Sequence, residues 1–145
     1  MSGWHLEYDI DIGITDRIVY EKIFGVWKIS TAESYKQDFK VEVTPLIKKP
    51  WAKLCDLSNW KIAYPEVVDI IGEHLVWCRE HNMIWSVNII NNPATFRLLH
   101  QMFEKGGTKE ISQTFRSRPE AVAFLKRQKF LVRSSGSSAR PPLGL

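Results

Sequence analysis

The chain has 145 residues, 44% of them hydrophobic and 25% charged, with two cysteines and six tryptophans. That length favours one domain and is enough for a core without metal or disulfide staples. The net charge is +4, and Arg133 and Arg140, in an acid-free tail, supply two of those charges. The remaining excess is too small, and its lysines and arginines too scattered, to predict a nucleic-acid partner. No stretch reaches the apolar length of a membrane span. Cys55 and Cys78, in a chain whose start lacks a charged region followed by an apolar one, read as reduced thiols of a cytoplasmic protein.

Residues 4–14 alternate, with Trp4, Leu6, Tyr8, Ile10, Ile12 and Ile14 apolar and His5, Glu7, Asp9 and Asp11 polar. This is a strand with one wet face. A turn over 13–17 leads to a second strand, Ile18–Trp27, and the short connection implies an antiparallel hairpin. Ser30 and Glu33 have the spacing of a capping box. The following helix turns Ala32, Tyr35, Phe39, Val43 and Leu46 inward and stops before Pro50.

The central unit comes next. Trp51–Leu57 is apolar on both faces apart from Lys53 and Asp56, as in a strand covered on both sides. A loop over Ser58–Tyr64 follows, then a helix opening at Pro65. Its stripe is Val67, Ile71, Leu75 and Cys78, and Asn82 stops it. Because the loop leaves the carboxyl end of a parallel strand, Ser58, Asn59, Trp60 and Tyr64 are the candidate partner- or ligand-binding residues. The aromatic pair suits an anchor for a protein partner or a small apolar ligand.

Met83–Ile90 reads as a fourth strand. Asn92 and Pro93 open a helix with Phe96, Leu99 and Phe103 inward, closed by Gly106-Gly107. Lys109–Phe115 is a less apolar, edge-type strand. Ser117 and Glu120 form a second capping box, and the last helix runs to about Gln128. Residues 1–130 form the domain. From Leu131 the Ser/Gly/Pro-rich composition predicts a disordered tail over 131–145. Alternating strands and helices after a hairpin define an α/β fold with a five-stranded mixed sheet and four helices, ordered β-β-α-β-α-β-α-β-α.

Several constellations could carry chemistry. His74, Cys78 and His81 lie at i, i+4 and i+7 and could share one helix face as zinc ligands. No fourth ligand is signalled, so Cys78 is read as core and His81 as a last-turn residue favoured by the helix dipole. Glu7, Asp9 and Asp11 could bind a hard cation. The wet face of an outer strand, with Arg17 or Lys22 opposite, explains them as well. Ser58 and Cys55 lack an identifiable base, and no phosphate-cradling glycine loop follows a strand. The expectation is therefore no catalytic set, no metal and no cofactor.

Three local patterns carry a family resemblance. They are IVYEKIFGVWKISTAESY over Ile18–Tyr35, LCDLS over Leu54–Ser58, and TFRSRPEAVAFL over Thr114–Leu125. In this order they resemble the STAS superfamily, the SpoIIAA-like fold of bacterial anti-sigma factor antagonists. The resemblance implies a divergent single-domain, non-enzymatic regulatory module that binds a protein. Because the fold is shared with Sec14-type lipid-binding domains, it also implies an alternative, a small apolar or lipid ligand. The antagonists are phosphorylated just after the third strand, in an Asp-Ser-x-Gly context. This chain has Ser58-Asn59-Trp60 there, so no phospho-switch is expected at Ser58.

Overall fold

The computed structural model describes residues 7–133. Its strands are β1 (Tyr8–Gly13), β2 (Ile18–Trp27), β3 (Trp51–Ala63), β4 (Met83–Ile89) and β5 (Ser112–Phe115). Helices α1 (Ile29–Val43), α2 (Pro65–Glu80), α3 (Pro93–Gly106) and α4 (Arg118–Arg127) alternate with them after the hairpin. Short 3-10 turns at Thr44–Leu46 and Lys109–Ile111 precede β3 and β5. The strands lie in sequence order, with β1 antiparallel to β2 and every other pair parallel. The expected α/β architecture is present, with the Trp51 strand at the centre of the sheet.

The two faces of the sheet are unequal. Val19, Ile23, Trp51, Cys55 and Leu57 lie in one core with residues of α1, α2 and α3. Ile18, Tyr20, Ala52, Leu54, Val87 and Ile89 lie in a smaller core beneath α4. The alternation along β2 and β3 assigns these sets to opposite faces, because successive side chains of a strand point opposite ways.

Several local readings move. The first helix starts at Ile29 with Lys28, not Ser30, at the N-cap position. Ala32 N–H already donates to the Lys28 carbonyl, and buried Thr31 and Ala32 fix the phase of the first turn. Phe96 is 40% exposed. The inward phase of α3 is set by Thr95, Leu99, Met102 and Phe103, leaving Phe96 outside and beside His100. The fifth strand begins only at Ser112. The caps at Asn92 and Ser117 form as expected, each side chain accepting a backbone N–H of its helix. Asn82 takes the left-handed conformation just past α2, at φ 78°.

Two arginines tie down the β1–β2 end. Arg17 donates to the carbonyls of Leu46, Lys49 and Pro50, closing the approach to β3 rather than facing the acids of β1. Lys22 is the cross-strand neighbour of Asp9. Arg133 pairs with Asp11 and Asp16 and lies over the Tyr20 ring. Contacts thus continue to Arg133, while 134–145, the rest of the expected tail, lies outside the described residues, as do Trp4, His5 and Leu6.

Helices α2 and α3 meet through glycines. A Cβ on Gly72 would stand 2.6 Å from the Lys105 Cβ, and one on Gly106 would stand 2.6 Å from the Leu75 Cβ. Helix propensity alone favours Gly72→Ala by about 1 kcal/mol. The clash should reverse the sign, because overpacking a close helix contact costs roughly 1–3 kcal/mol. Urea unfolding of Gly72→Ala should therefore show a net loss of stability; a gain would mean that the helices separate freely.

Candidate functional site

Strand β3 is longer than its neighbour β4, and that difference builds the site. The β3–β4 pairing ends at Asp56–Ile89, whereas pairing with β2 continues to Trp27–Ala63. The expected loop over 58–64 is therefore mostly strand. β2 supplies the missing half of the ladder, which a local pattern does not display. The pairing shifts register twice, between Lys22 and Phe24 and between Gly25 and Val26. At each shift β3 carries one extra residue, a bulge that re-aims the side chains after it.

The four candidate residues fall on different sides of this ribbon. Ser58 and Asn59 are exposed, and Asp56 accepts the Ser58 N–H at 2.9 Å. Tyr64, at the N-cap position of α2, is 52% exposed, and its N–H donates to the Trp27 carbonyl. Trp60 is only 4% exposed and belongs to the core. The expected aromatic pair is thus divided, with Tyr64 outside and Trp60 inside. Ser58 sits seven residues before Pro65, inside the strand, and not at the first turn of α2.

Beneath the ribbon lies a group of residues that the sequence pattern did not bring together. Glu21 of β2 and Lys53 of β3 face the α1–α2–α3 side and are 4% and 5% exposed. Lys53 Nζ is 3.8 Å from Glu21 Oε1. The Tyr35 hydroxyl of α1 donates to Glu21 Oε2. Burial is the largest influence on the Lys53 ammonium and opposes it, but Glu21, Cys78 and Cys55 together outweigh it, and the lysine pKa lies above its ordinary value. Burial first, then Glu21, pushes the Tyr35 hydroxyl and the Cys55 thiol well up, and burial raises Cys78 to about 12. Both thiols are therefore protonated near neutrality and poor nucleophiles.

His74 is fully buried, edge-on to Tyr35 and Phe39, with its Nε2 3.5 Å from Cys78 Sγ. His81 does not join them. Its Nδ1–H donates to the Trp77 carbonyl and its ring stacks on Trp77. Among the described residues no group of three His, Cys, Asp or Glu is placed to hold a metal ion. Burial, and then Lys53, Lys36 and Lys40, lowers the His74 pKa far below its ordinary value.

A cavity of about 50 Å³ adjoins the charged pair. Glu21, Lys53, Tyr35, Cys55 and Asn88 form its polar wall, and Trp27, Leu57, Trp60, Leu75, Leu99 and Phe103 much of its apolar wall. Glu21 Oε1 and the Trp60 indole N–H are buried there without a hydrogen-bond partner. The only sequence signal for this site was a lysine and a glutamate inside otherwise apolar strands.

This architecture is the SpoIIAA-like fold. No protein-family model matches the sequence, and no curated protein matches it. Solved structures do. One is an uncharacterized protein of the DUF3478 family with a SpoIIAA-like fold from Shewanella loihica PV-4, 14% identical, with TM-score 0.62 over 86% of this chain and 98% of that one. A second is an anti-sigma factor antagonist from Mycobacterium paratuberculosis, 16% identical, with TM-score 0.58 over 83% of this chain and 95% of that one. A third is the anti-sigma factor antagonist SpoIIAA in its unphosphorylated form, 11% identical, with TM-score 0.57 over 87% of this chain and 99% of that one. Among the described residues no helix is long and apolar enough to cross a membrane.

Two outcomes test the cluster. Lys53→Met leaves a buried carboxylate without its cation and should cost roughly 3–5 kcal/mol in urea unfolding. Glu21→Gln combined with Lys53→Met removes both charges and should recover more than half of that loss. Additive losses in the double variant would show the two groups to be energetically independent.

His74 gives a pH dependence. The unfolded chain protonates this imidazole below the ordinary value of 6.5, whereas the folded chain keeps it neutral. The unfolded state then binds more protons, so stability falls as pH drops below 6.5, by at most about 1.4 kcal/mol per pH unit, and levels off only below the folded-state pKa. His74→Phe should flatten the curve of unfolding free energy between pH 6.5 and 5. An unchanged slope would mean that the other titrating groups account for it.

Proposed function

We propose that this domain is a non-enzymatic protein-interaction module of the cytoplasm, docking its partner on the outer face of the β2–β3 ribbon. The observation that carries this reading is an exposed apolar group at one end of the sheet. Val26 and Ile62 are register partners and are 45% and 50% exposed. Ile29, at the start of α1, is 45% exposed, and Tyr64 is 52% exposed. Clustered apolar side chains left in water at a strand end are the common mark of a docking surface. Ser58 and Asn59 would supply polar contacts at its margin. Trp60 serves from beneath, holding the ribbon against the core. Two solved proteins of the same fold described as anti-sigma factor antagonists support a regulatory role of this kind.

The unpaired edge adds a mode of contact. Among the described residues, β3 beyond Asp56 has no strand on its β4 side. Its backbone groups there can accept an extended segment of a partner by strand addition. Ser58 lies within the strand, seven residues before Pro65, so a phosphate there would not be at the first turn of α2. The reading therefore assigns no phospho-switch to Ser58.

A photo-crosslinking amino acid placed at Tyr64 in the full chain should capture a discrete partner from cells of the source organism. The same amino acid at Val41, 71% exposed on α1, should not. Adding Val26→Ser and Ile62→Ser should reduce the adduct at position 64 about tenfold or more, since a few apolar anchors dominate most interfaces. Both positions are exposed, so the melting temperature should hardly change. Equal capture at 64 and 41, or an adduct indifferent to the double substitution, would remove this surface from consideration.

A further inference from the structure

The cavity beneath the ribbon has the wrong composition for a simple packing defect. Voids in protein cores are normally apolar and empty, or polar and hydrated. This one has one polar corner in an apolar chamber. Its volume of about 50 Å³ would admit roughly three to five waters at 10–15 Å³ each. Each of those waters would need two to four polar partners. The wall does not offer them. The Tyr35 hydroxyl is committed to Glu21 Oε2. The Asn88 side-chain amide donates to Ser86 and to the Gln113 carbonyl. What remains is the Asn88 amide oxygen, the Glu21 Oε1 lone pairs, the Trp60 indole N–H, and the Lys53 ammonium, which at 3.8 Å stands too far from Glu21 Oε1 for a hydrogen bond. Those few groups satisfy a polar atom or two, not a cluster of roughly three to five waters with two to four partners each.

The charges narrow the class further. Glu21 and Lys53 neutralise each other, and the Tyr35 hydroxyl and both thiols stay protonated. An anionic ligand would place two negative charges against one lysine, and a cationic one would do the reverse. Either leaves an uncompensated charge in a site walled by Ile23, Leu57, Leu75, Leu99 and Phe103, which is strongly unfavourable. A hydroxyl suits the corner, since it donates to Glu21 Oε1 while accepting from Lys53 Nζ, which stands 3.8 Å from that oxygen.

We propose that the cavity between β2, β3 and helices α2 and α3 is a binding site for a small uncharged amphiphile, an alcohol with an apolar body of a few carbons. Its hydroxyl lies between Glu21 Oε1 and Lys53 Nζ, in the cavity that the Trp60 indole also lines. Its body fills the Leu57–Leu99–Phe103 chamber. The site lies on the inner face of the ribbon, so its occupancy is separable from partner docking on the outer face.

The test is a titration of the uniformly 15N-labelled full chain, followed at the Trp60 indole N–H resonance. The probes are 1-butanol, butyrate and butylammonium. With 1-butanol the resonance should shift and saturate. Butyrate and butylammonium should bind at least tenfold more weakly. The Glu21→Gln/Lys53→Met variant should weaken the butanol response at least tenfold, and Val26→Ser/Ile62→Ser should leave it intact. A shift that stays linear with butanol concentration would overturn the proposal, because it reports a solvent effect. Equal affinity for butanol and butyrate would overturn it too, and both readings need only the wild-type protein.

Discussion

Glu21 and Lys53 lie diagonally across adjacent central strands on one face of the sheet, under three helices and with almost no access to water. Removing two such charges from water is costly, and their mutual attraction offsets it only when their neighbours cooperate. The surrounding residues fit that requirement. Tyr35 donates to the carboxylate, the thiols of Cys55 and Cys78 stay neutral, and His74 is held neutral between aromatic rings. The α1 and α2 residues packed on this face are therefore constrained in protonation state as well as in shape. The same arrangement leaves one carboxylate oxygen and one indole N–H without partners, and these give the cavity its chemical character.

The second organising feature is the mismatch in strand length. β3 runs 13 residues and β4 only 7, so the end of β3 leaves the body of the sheet with β2 alone. Such a two-stranded ribbon is marginal without something to pack on. Here its inner side chains, Leu57, Trp60 and Ala63 with Trp27 of β2, complete the main core. Its outer side chains, Val26 and Ile62, meet nothing comparable and stay in water. One ribbon thus closes an internal chamber and carries an external apolar surface. The two bulges make this possible by breaking the simple alternation of the strand.

The helices on this face are set by close contact rather than by large side chains. Gly72 and Gly106 let α2 and α3 approach until backbone and Cβ atoms nearly touch. That brings Leu99, Met102 and Phe103 over the sheet as the far wall of the cavity. Charged ties work at the opposite end of the molecule. Arg17 gathers three carbonyls before β3, and Arg133 returns to Asp11 and Tyr20.

Much of the architecture was legible in the residues themselves. The alternation of Tyr8, Ile10 and Ile12, the proline starts at Pro65 and Pro93, the Ser117 cap and the Asn82 stop are local signals. They act within a turn or two of chain, so element order, the opening hairpin and the central place of Trp51–Leu57 followed from them. The site was not legible in that way. Ser58–Tyr64 reads as a loop because its polar residues break the apolar run, yet β2 supplies hydrogen-bond partners along it and makes it strand. Trp60 reads as an exposed anchor, yet the bulge beside it turns the ring into the core. Phe96 lies within one turn of the true inward stripe and still faces outward. Glu21 and Lys53 are 32 residues apart in the chain, and each alone is a charged residue in a strand. Only the parallel register of β2 against β3, which pairs Glu21 with Cys55 and Val19 with Lys53, brings them together diagonally on one face. Local sequence determines which segments are strand or helix, because those preferences act over neighbouring residues. Which side chains share a buried space depends on pairing between distant segments, and the tertiary structure alone decided it.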